Sequence, residues 1–263
     1  MWQGYRSLFD DGDEMHSDSV DAYELPERVR RYDADMDIMH PLRWEMIEVA
    51  LELLPFHRTQ SLKALDLGVG TGVFSQKFLE KYTNSSVVAI DGASSMLDLA
   101  KQKLRGLSQR VEWVVSDFRA IPAELIRPDT FDVVISSYAL HHLSAQEKLA
   151  VLTSVVRAIR PGGWVLNADI VVAEAPDIEQ RIQEIRVKGI TGRALVQDKR
   201  FCSTKATRKF LDELEAAEHD QPQTLDQDVR AFRESGITNA EVFWRKYREA
   251  VIGGSKATAI TNR

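Results

Sequence analysis

The residues best suited to chemistry begin at Asp66, where the run ALDLGVGTGVF sets an acidic residue ahead of Gly68, Gly70 and Gly72. Glycines at alternate positions let the backbone pass close to a ligand, because no β-carbon stands in the way. Alone, such a loop suits any nucleotide-type cofactor. A dinucleotide fingerprint places its third glycine where this chain has Val73. A carboxylate ahead of the glycines repels a pyrophosphate but accepts hydrogen bonds from an ammonium group such as that of a methionine moiety. The charge pattern favours a cationic ligand. Asp91 closes the next apolar run, SVVAID, placed to take both hydroxyls of a ribose, a role that suits NAD equally well. Asp117 closes a third, VEWVVSD, where its side chain can accept from an adenine amine while the amide of Phe118 reaches a ring nitrogen. Open parallel sheets bind ligands in the crevice at their strand ends, where these carboxylates converge.

Past a fourth run, FDVVISS, come Tyr138, His141 and His142. Either histidine can serve as a general base near neutral pH, or the pair can simply start a helix and pack on backbone. Tyr138 either orients a substrate or walls the pocket. The histidines show no HxxxH or HxH spacing with a carboxylate, so no metal site is expected. His40 and Trp44, one helical turn apart, face either substrate or core. Arg186, Lys188, Arg193, Lys199 and Arg200 form a basic patch that attracts an acidic substrate or remains a solvated helix face.

To bring these groups together the chain must alternate strands and helices. KALDL precedes VFSQKFLEKY, and SVVAID precedes SMLDLAKQKLRGL; the helix AQEKLAVLTSVVRAIR then leads into GWVLNADIVV. Short Val/Ile-rich runs between helical segments are parallel strands covered on both faces, so the fold class is α/β with a doubly wound, Rossmann-like sheet. The final runs AEVFWRKY and EAVIGGSK are joined too tightly for a crossover helix and must pair antiparallel, with Trp244, Arg245 and Tyr247 at their turn. Residues 27–36 and 42–54 show helical spacing, with Pro41 placed at a helix start. Residues 173–222 break the alternation with charged helical sequence and read as a lid over the sheet's edge. The expected organisation is a mobile acidic N-terminus (1–20), helices covering the cofactor site (21–57), a core (58–172 and 223–256), the lid (173–222) and a frayed tail (257–263).

With 263 residues, 44% hydrophobic and 28% charged, the chain suits one globular α/β domain with an appendage. A formal charge of -6 disfavours a nucleic-acid partner, which needs a Lys/Arg-rich face. A single cysteine, Cys202, excludes disulfide frameworks and thiolate metal cages and reads as a reduced, cytoplasmic protein. Neither a secretion signal nor a membrane span is expected.

ALDLGVGTG, VVAIDGASSML, VVSDF, FDVVISSYALHHL and IRPGGWVL together resemble the ordered motifs of class I S-adenosylmethionine-dependent methyltransferases. The C-terminal DQDVRAFRESGITNAEVFWRKYREAVIGGSK is similar to the last helix and strand pair of that family, including members related to carboxy-S-adenosylmethionine synthases. The resemblance implies a seven-stranded sheet of order 3-2-1-4-5-7-6 with the last strand antiparallel, and S-adenosyl-L-methionine as cofactor. By position it implies Asp66, Gly68, Gly70 and Gly72 around the methionine part, Asp91 and Gly92 at the ribose, and Met96 against the adenine. Asp117 and Phe118 would meet the adenine's amine edge, and Ser136 and Ser137 would line the crevice through their backbone. Tyr32, in VRRYDADMD, stands where related small-molecule members cap the cofactor carboxylate. Val69 departs from relatives that carry a small or polar residue there. The implied reaction is in-line transfer of the sulfonium methyl to a small-molecule acceptor, with His142, His141 and Tyr138 as catalytic candidates. Modification of the cofactor itself, or silent cofactor binding, are the alternatives. The N-terminus and lid leave room for exchange in a homodimer.

Overall fold

The apolar runs form seven strands: β1 (Lys63–Leu67), β2 (Ser86–Asp91), β3 (Val111–Val115), β4 (Phe131–Ser137), β5 (Ile159–Ile170), β6 (Glu241–Lys246) and β7 (Glu249–Ser255). The structure, a computed structural model, describes residues 19–195 and 197–258. The expected mobile N-terminus and frayed tail fall almost wholly outside those residues. The sheet order is β3-β2-β1-β4-β5-β7-β6. β1 to β5 pair in parallel, and β7 runs antiparallel to β5 and β6, as the tight final turn requires.

The central strands are buried on both faces because their side chains alternate between two cores. On one face α3 (Arg43–Glu52), α4 (Val73–Lys81) and α5 (Ser94–Lys103) bring Met46, Ala50, Phe78 and Leu97 against Ala64 and Val133. On the other, α6 (Ala145–Ala158) and α9 (Leu225–Glu234) bring Leu152, Val155 and Phe232 against Leu65 and Val134. Each large apolar side chain so buried stabilises the fold by about 1.5–3 kcal/mol. Capping boxes start both helices of the second face, Ser144 with Glu147 and Thr224 with Gln227. Between these helices the buried Lys148 Nζ lies 2.6 Å from Asp228 Oδ1.

Ahead of the sheet lie α1 (Ser19–Ala22) and α2 (Pro26–Met39), and Pro26 is the proline that opens a helix. Pro41 instead sits in a turn closed by the Arg43 amide donating to His40 O at 3.1 Å, so α3 begins later than its spacing suggests. The insertion folds as α7 (Pro176–Arg193) and α8 (Thr204–Ala217), which pack Ile190, Phe201 and Leu211 with Met39 of α2 into a small separate core. Ion pairs fasten α2 to this insertion, among them Arg28 to Glu218 and Arg200 to Asp35, each at 2.7 Å, and Arg31 to Asp198 at 3.0 Å. The insertion leaves and rejoins the core side by side, where Val172 bridges Thr224.

Candidate active site

Between β1 and α4 the chain turns through Gly68, Gly70 and Gly72, whose φ angles are 68°, 53° and 82°. This left-handed region is costly for any residue with a β-carbon. A β-carbon on Gly68 would stand 2.4 Å from Ala139 Cβ and one on Gly72 2.5 Å from Leu104 Cδ1; one on Gly70 would meet nothing nearer than Met96 Cε at 3.8 Å. Gly68 and Gly72 therefore permit close packing, whereas Gly70 presents bare backbone to open space. That space is a cavity of about 520 Å³, including its mouth, walled by Gly68, Gly70, Asp91, Met96, Asp117 and Phe118.

Asp66 lies buried beneath the loop, its Oδ2 accepting from Ser75 Oγ at 2.6 Å. Burial pushes its pKa up to about 7 despite that bond, and the nearby Asp91 charge adds to the rise. It borders a smaller adjoining cavity together with Ser137, Tyr32 and Gly70. A cation arriving there would stabilise its ionised form. The Asp91 carboxylate accepts from Gly70 N at 2.8 Å and Ala93 N at 2.9 Å, which fixes its orientation while leaving lone pairs for ligand hydroxyls. Burial raises its pKa even so. Asp117 caps the short turn 118–120, accepting from Arg119 N at 2.7 Å and Arg119 Nε at 3.0 Å. A ligand amine at Asp117 thus meets a carboxylate that already holds a guanidinium.

The cavity's roof comes from the N-terminal helices. Val20 sits so close to Gly92 that a β-carbon there would stand 2.7 Å from Val20 Cγ2. Glu24 accepts from the Ser94 amide and the Ser95 hydroxyl at the start of α5. The Tyr32 ring packs at 4.9 Å under the Arg28 guanidinium and at 6.0 Å from the Tyr23 ring.

Opposite the glycine loop, the histidines occupy different environments. His141 Nδ1 lies 2.6 Å from Asp169 Oδ1, and its Nε2 lies 3.4 Å from Asp220 Oδ1. Burial alone would discharge it, but Asp169 and Asp220 outweigh burial and push its pKa up to about 10. His141 therefore holds its proton at neutral pH, which corrects the expectation that either histidine can act as base. His142 places Nε2 3.0 Å from the Tyr23 hydroxyl and Nδ1 3.0 Å from Asp220 Oδ1, and it lines the cavity. His141, His142 and Asp220 offer donor atoms within 4.8 Å of one another, a set capable of holding a cation that sequence spacing did not show. With His141 protonated, that cluster already supplies a positive charge between two carboxylates.

Tyr138 follows β4 with φ of 49°, a strained value for a bulky residue. Its hydroxyl donates to Glu249 Oε1 at 2.9 Å, an atom that His40 Nδ1 also approaches at 3.1 Å. Burial, with the Glu249 charge, drives the Tyr138 hydroxyl pKa far up, and its proton is committed to Glu249.

The cavity thus gathers Tyr32, Gly68, Gly70, Asp91, Gly92, Met96, Asp117, Phe118, Tyr138 and His142. Asp66 and Ser137 border its smaller neighbour. Gly72 packs on Leu104, and Ser136 Oγ donates to Leu67 O at 2.9 Å, which stitches β4 to β1. Sequence reasoning missed Tyr23, Asp169, Asp220 and Arg119. Asp169 alone had a usable signal, being another aspartate at the end of a buried strand.

Residues 64–163 match the family of methyltransferase domains. Over that stretch the chain is similar to methyltransferase domains. An uncharacterized methyltransferase of Geobacillus kaustophilus is 33% identical over 125 residues, covering 48% of this chain and 54% of that relative. The chain therefore spans about half the length of this curated relative. Among solved structures, an O-methyltransferase family protein of Burkholderia thailandensis aligns with a TM-score of 0.60 at 18% identity, over 90% of this chain and 64% of that one. Phosphoethanolamine N-methyltransferase 2 of Haemonchus contortus, solved with S-adenosyl-L-methionine, aligns with a TM-score of 0.60 at 17% identity, over 85% of this chain and 45% of that one. At such identities the likeness speaks for the fold alone. The similarity of the C-terminal part to carboxy-S-adenosylmethionine synthases is not shown by these matches. Among the described residues no helix is long and apolar enough to cross a membrane.

Proposed function

We propose that this protein binds S-adenosyl-L-methionine and transfers its sulfonium methyl to a small-molecule acceptor. One observation carries the reading: a single cavity brings the bare Gly70 backbone, Asp91, Met96 and Asp117 to face His142 and Tyr23. The residues fit the cofactor's chemistry. Asp91 would take the ribose hydroxyls, Met96 and Phe118 would flank the adenine, Asp117 would meet its amine, and Asp66 with Tyr32 would serve the amino-acid end. Asp66 is a carboxylate whose pKa burial raises, and an ammonium group beside the loop would favour its ionised form. When bound, the cofactor supplies a methyl group already activated toward nucleophiles.

The chain's own tasks are then alignment, exclusion of water and removal of a proton. Effective molarities for well-oriented pairs reach about 10^5 to 10^8 M, so alignment can provide most of the acceleration. Val20, Tyr23 and Tyr32 close the cavity from above. For the proton, Asp220 facing Nδ1 of His142 favours the tautomer that leaves Nε2 as acceptor. The acceptor molecule gives its proton to the Tyr23 oxygen while Tyr23 passes its own to His142 Nε2, 3.0 Å away. Burial keeps the Tyr23 hydroxyl pKa far above its ordinary value, so Tyr23 relays protons without standing ionised.

Thermal denaturation with S-adenosylhomocysteine tests the reading, since a ligand that binds only the folded state raises Tm. A shift with the homocysteine compound and none with NAD is expected. The reverse pattern would sink the proposal.

A further inference from the structure

A second cavity of about 760 Å³, open space included, lies between α7, the turn after α2 and the hairpin of β6 and β7. We propose that it binds the acid group of an anionic acceptor with an apolar body, an inference that rests on the methyltransferase reading above. Its walls divide by chemistry. Met39, Leu42, Ile170, Ile182 and Ile185 supply apolar surface, and Arg186, Arg193, Lys246 and Arg248 supply positive charge. In a chain of net charge -6, four cations on one cavity are a local reversal of sign. One carboxylate lines the cavity, Glu249, and its Oε1 is already engaged by Tyr138 and His40.

The cations differ in how fully they are matched. Arg186 and Arg248 share the same Glu215 oxygen, and Arg248 Nε also lies 3.2 Å from Glu179 Oε1. Burial and then the like charge of Arg186 lower the Arg248 pKa, the mark of guanidiniums crowded together. Arg193 gives its Nε to the Ile38 carbonyl at 2.8 Å, and Lys246 is exposed. Among the described residues neither Arg193 nor Lys246 makes an ion pair with a carboxylate. An incoming oxyanion would find Lys246 without an ion pair, Arg193 facing only the more distant charge of Glu249, and the two arginines held in place behind them.

Position links this cavity to the chemistry. A narrow third cavity shares Met39, His40, Ile170 and Arg186 with it. The same space shares Tyr23, Tyr32 and Tyr138 with the cofactor cavity. An acceptor anchored by its acid therefore lays its body along Ile170 and Met39 and extends its nucleophile toward Tyr23. The acid is a carboxylate or a phosphate ester, which the same cations would hold.

The test titrates hexanoate, hexyl phosphate and hexylamine, each followed by protein NMR, into protein saturated with S-adenosylhomocysteine. Both anions bind and hexylamine does not; the tighter anion identifies the acid. Losing charge-assisted hydrogen bonds in the Arg193→Ala, Lys246→Ala double variant weakens anion binding by about 10- to 100-fold, with S-adenosylhomocysteine affinity retained. Equal binding of hexylamine and hexanoate, or wild-type anion affinity in the double variant, overturns the proposal. Failure of S-adenosylhomocysteine to bind at all would count against the methyltransferase reading instead, and the anion titrations repeated without it would still decide the cavity.

Discussion

Replacing Gly70 by Ala separates folding from ligand binding at one residue. The substituted β-carbon meets no atom nearer than Met96 Cε at 3.8 Å, so its folding cost is the left-handed backbone at φ of 53° and little else. That conformation costs a non-glycine residue roughly 1–2 kcal/mol, and each kcal/mol lowers Tm by about 2–4 °C in a domain near this size. Gly68→Ala carries the same backbone strain plus a contact of 2.4 Å with Ala139, and overpacking adds about 1–3 kcal/mol. Thermal denaturation should therefore rank wild type above Gly70→Ala and Gly70→Ala above Gly68→Ala. With ligand the order of effects changes. At one hundred times Kd, S-adenosylhomocysteine stabilises the wild type by about 2.7 kcal/mol. Gly70→Ala should lose that gain, because its new methyl stands where the ligand must approach the backbone. A Gly70→Ala protein that keeps the full ligand shift would refute the reasoning, as would one destabilised as much as Gly68→Ala.

The other expectations concern charge. His141 has a folded pKa of about 10, above its unfolded value of about 6.5, so its stabilising contribution is complete below the lower value and fades as pH rises through the higher. Urea denaturation from pH 7 to 10 should show stability falling in the wild type and a flatter profile in His141→Gln; parallel profiles would deny His141 its proton. With the Asp66 pKa near 7, binding a cationic cofactor at pH 7 should release about half a proton, seen as buffer-dependent binding enthalpy and absent in Asp66→Asn. Both Tyr23→Phe and His142→Ala should bind S-adenosylhomocysteine normally and lose about 10^2- to 10^4-fold in turnover of a hydroxyl or ammonium acceptor; unchanged turnover would return the pair to a structural role. Lys148→Met, which strands the buried Asp228 carboxylate, should cost about 3–5 kcal/mol in denaturation, and a cost below about 1 kcal/mol would show that water reaches the pair.

The glycine loop and the aspartates at or just past the ends of β1, β2 and β3 were legible in the sequence because local rules place them. A strand end in a parallel sheet points into the crevice whatever the rest of the chain does. His142 was legible as a residue but not as a device. Its partners Tyr23 and Asp220 come from the N-terminal helices and the exit of the insertion, and only tertiary packing brings Tyr23 across 119 residues to its ring. The same gap misjudged His141, whose protonation depends on Asp169 and Asp220 rather than on its own neighbours. Arg119 stands two residues from Asp117, yet spacing could not say whether it would turn toward solvent or fold back onto that carboxylate. The helices of the insertion were visible from their periodicity. That they would set Arg186 and Arg193 beside an apolar cavity was not, because the other walls come from distant segments.

Glu24 closes off one end of the crevice. Its carboxylate occupies the amides and hydroxyl at the start of α5, just beyond Asp91, where a helix N-terminus would otherwise receive an anion. A nucleotide carrying a phosphate beside its ribose would have to evict Glu24 and then sit against Asp91. A nucleoside with bare hydroxyls meets neither obstacle. The chain thus fills its own anion seat from within, so a phosphate arriving at this helix start would compete with a carboxylate already bound there.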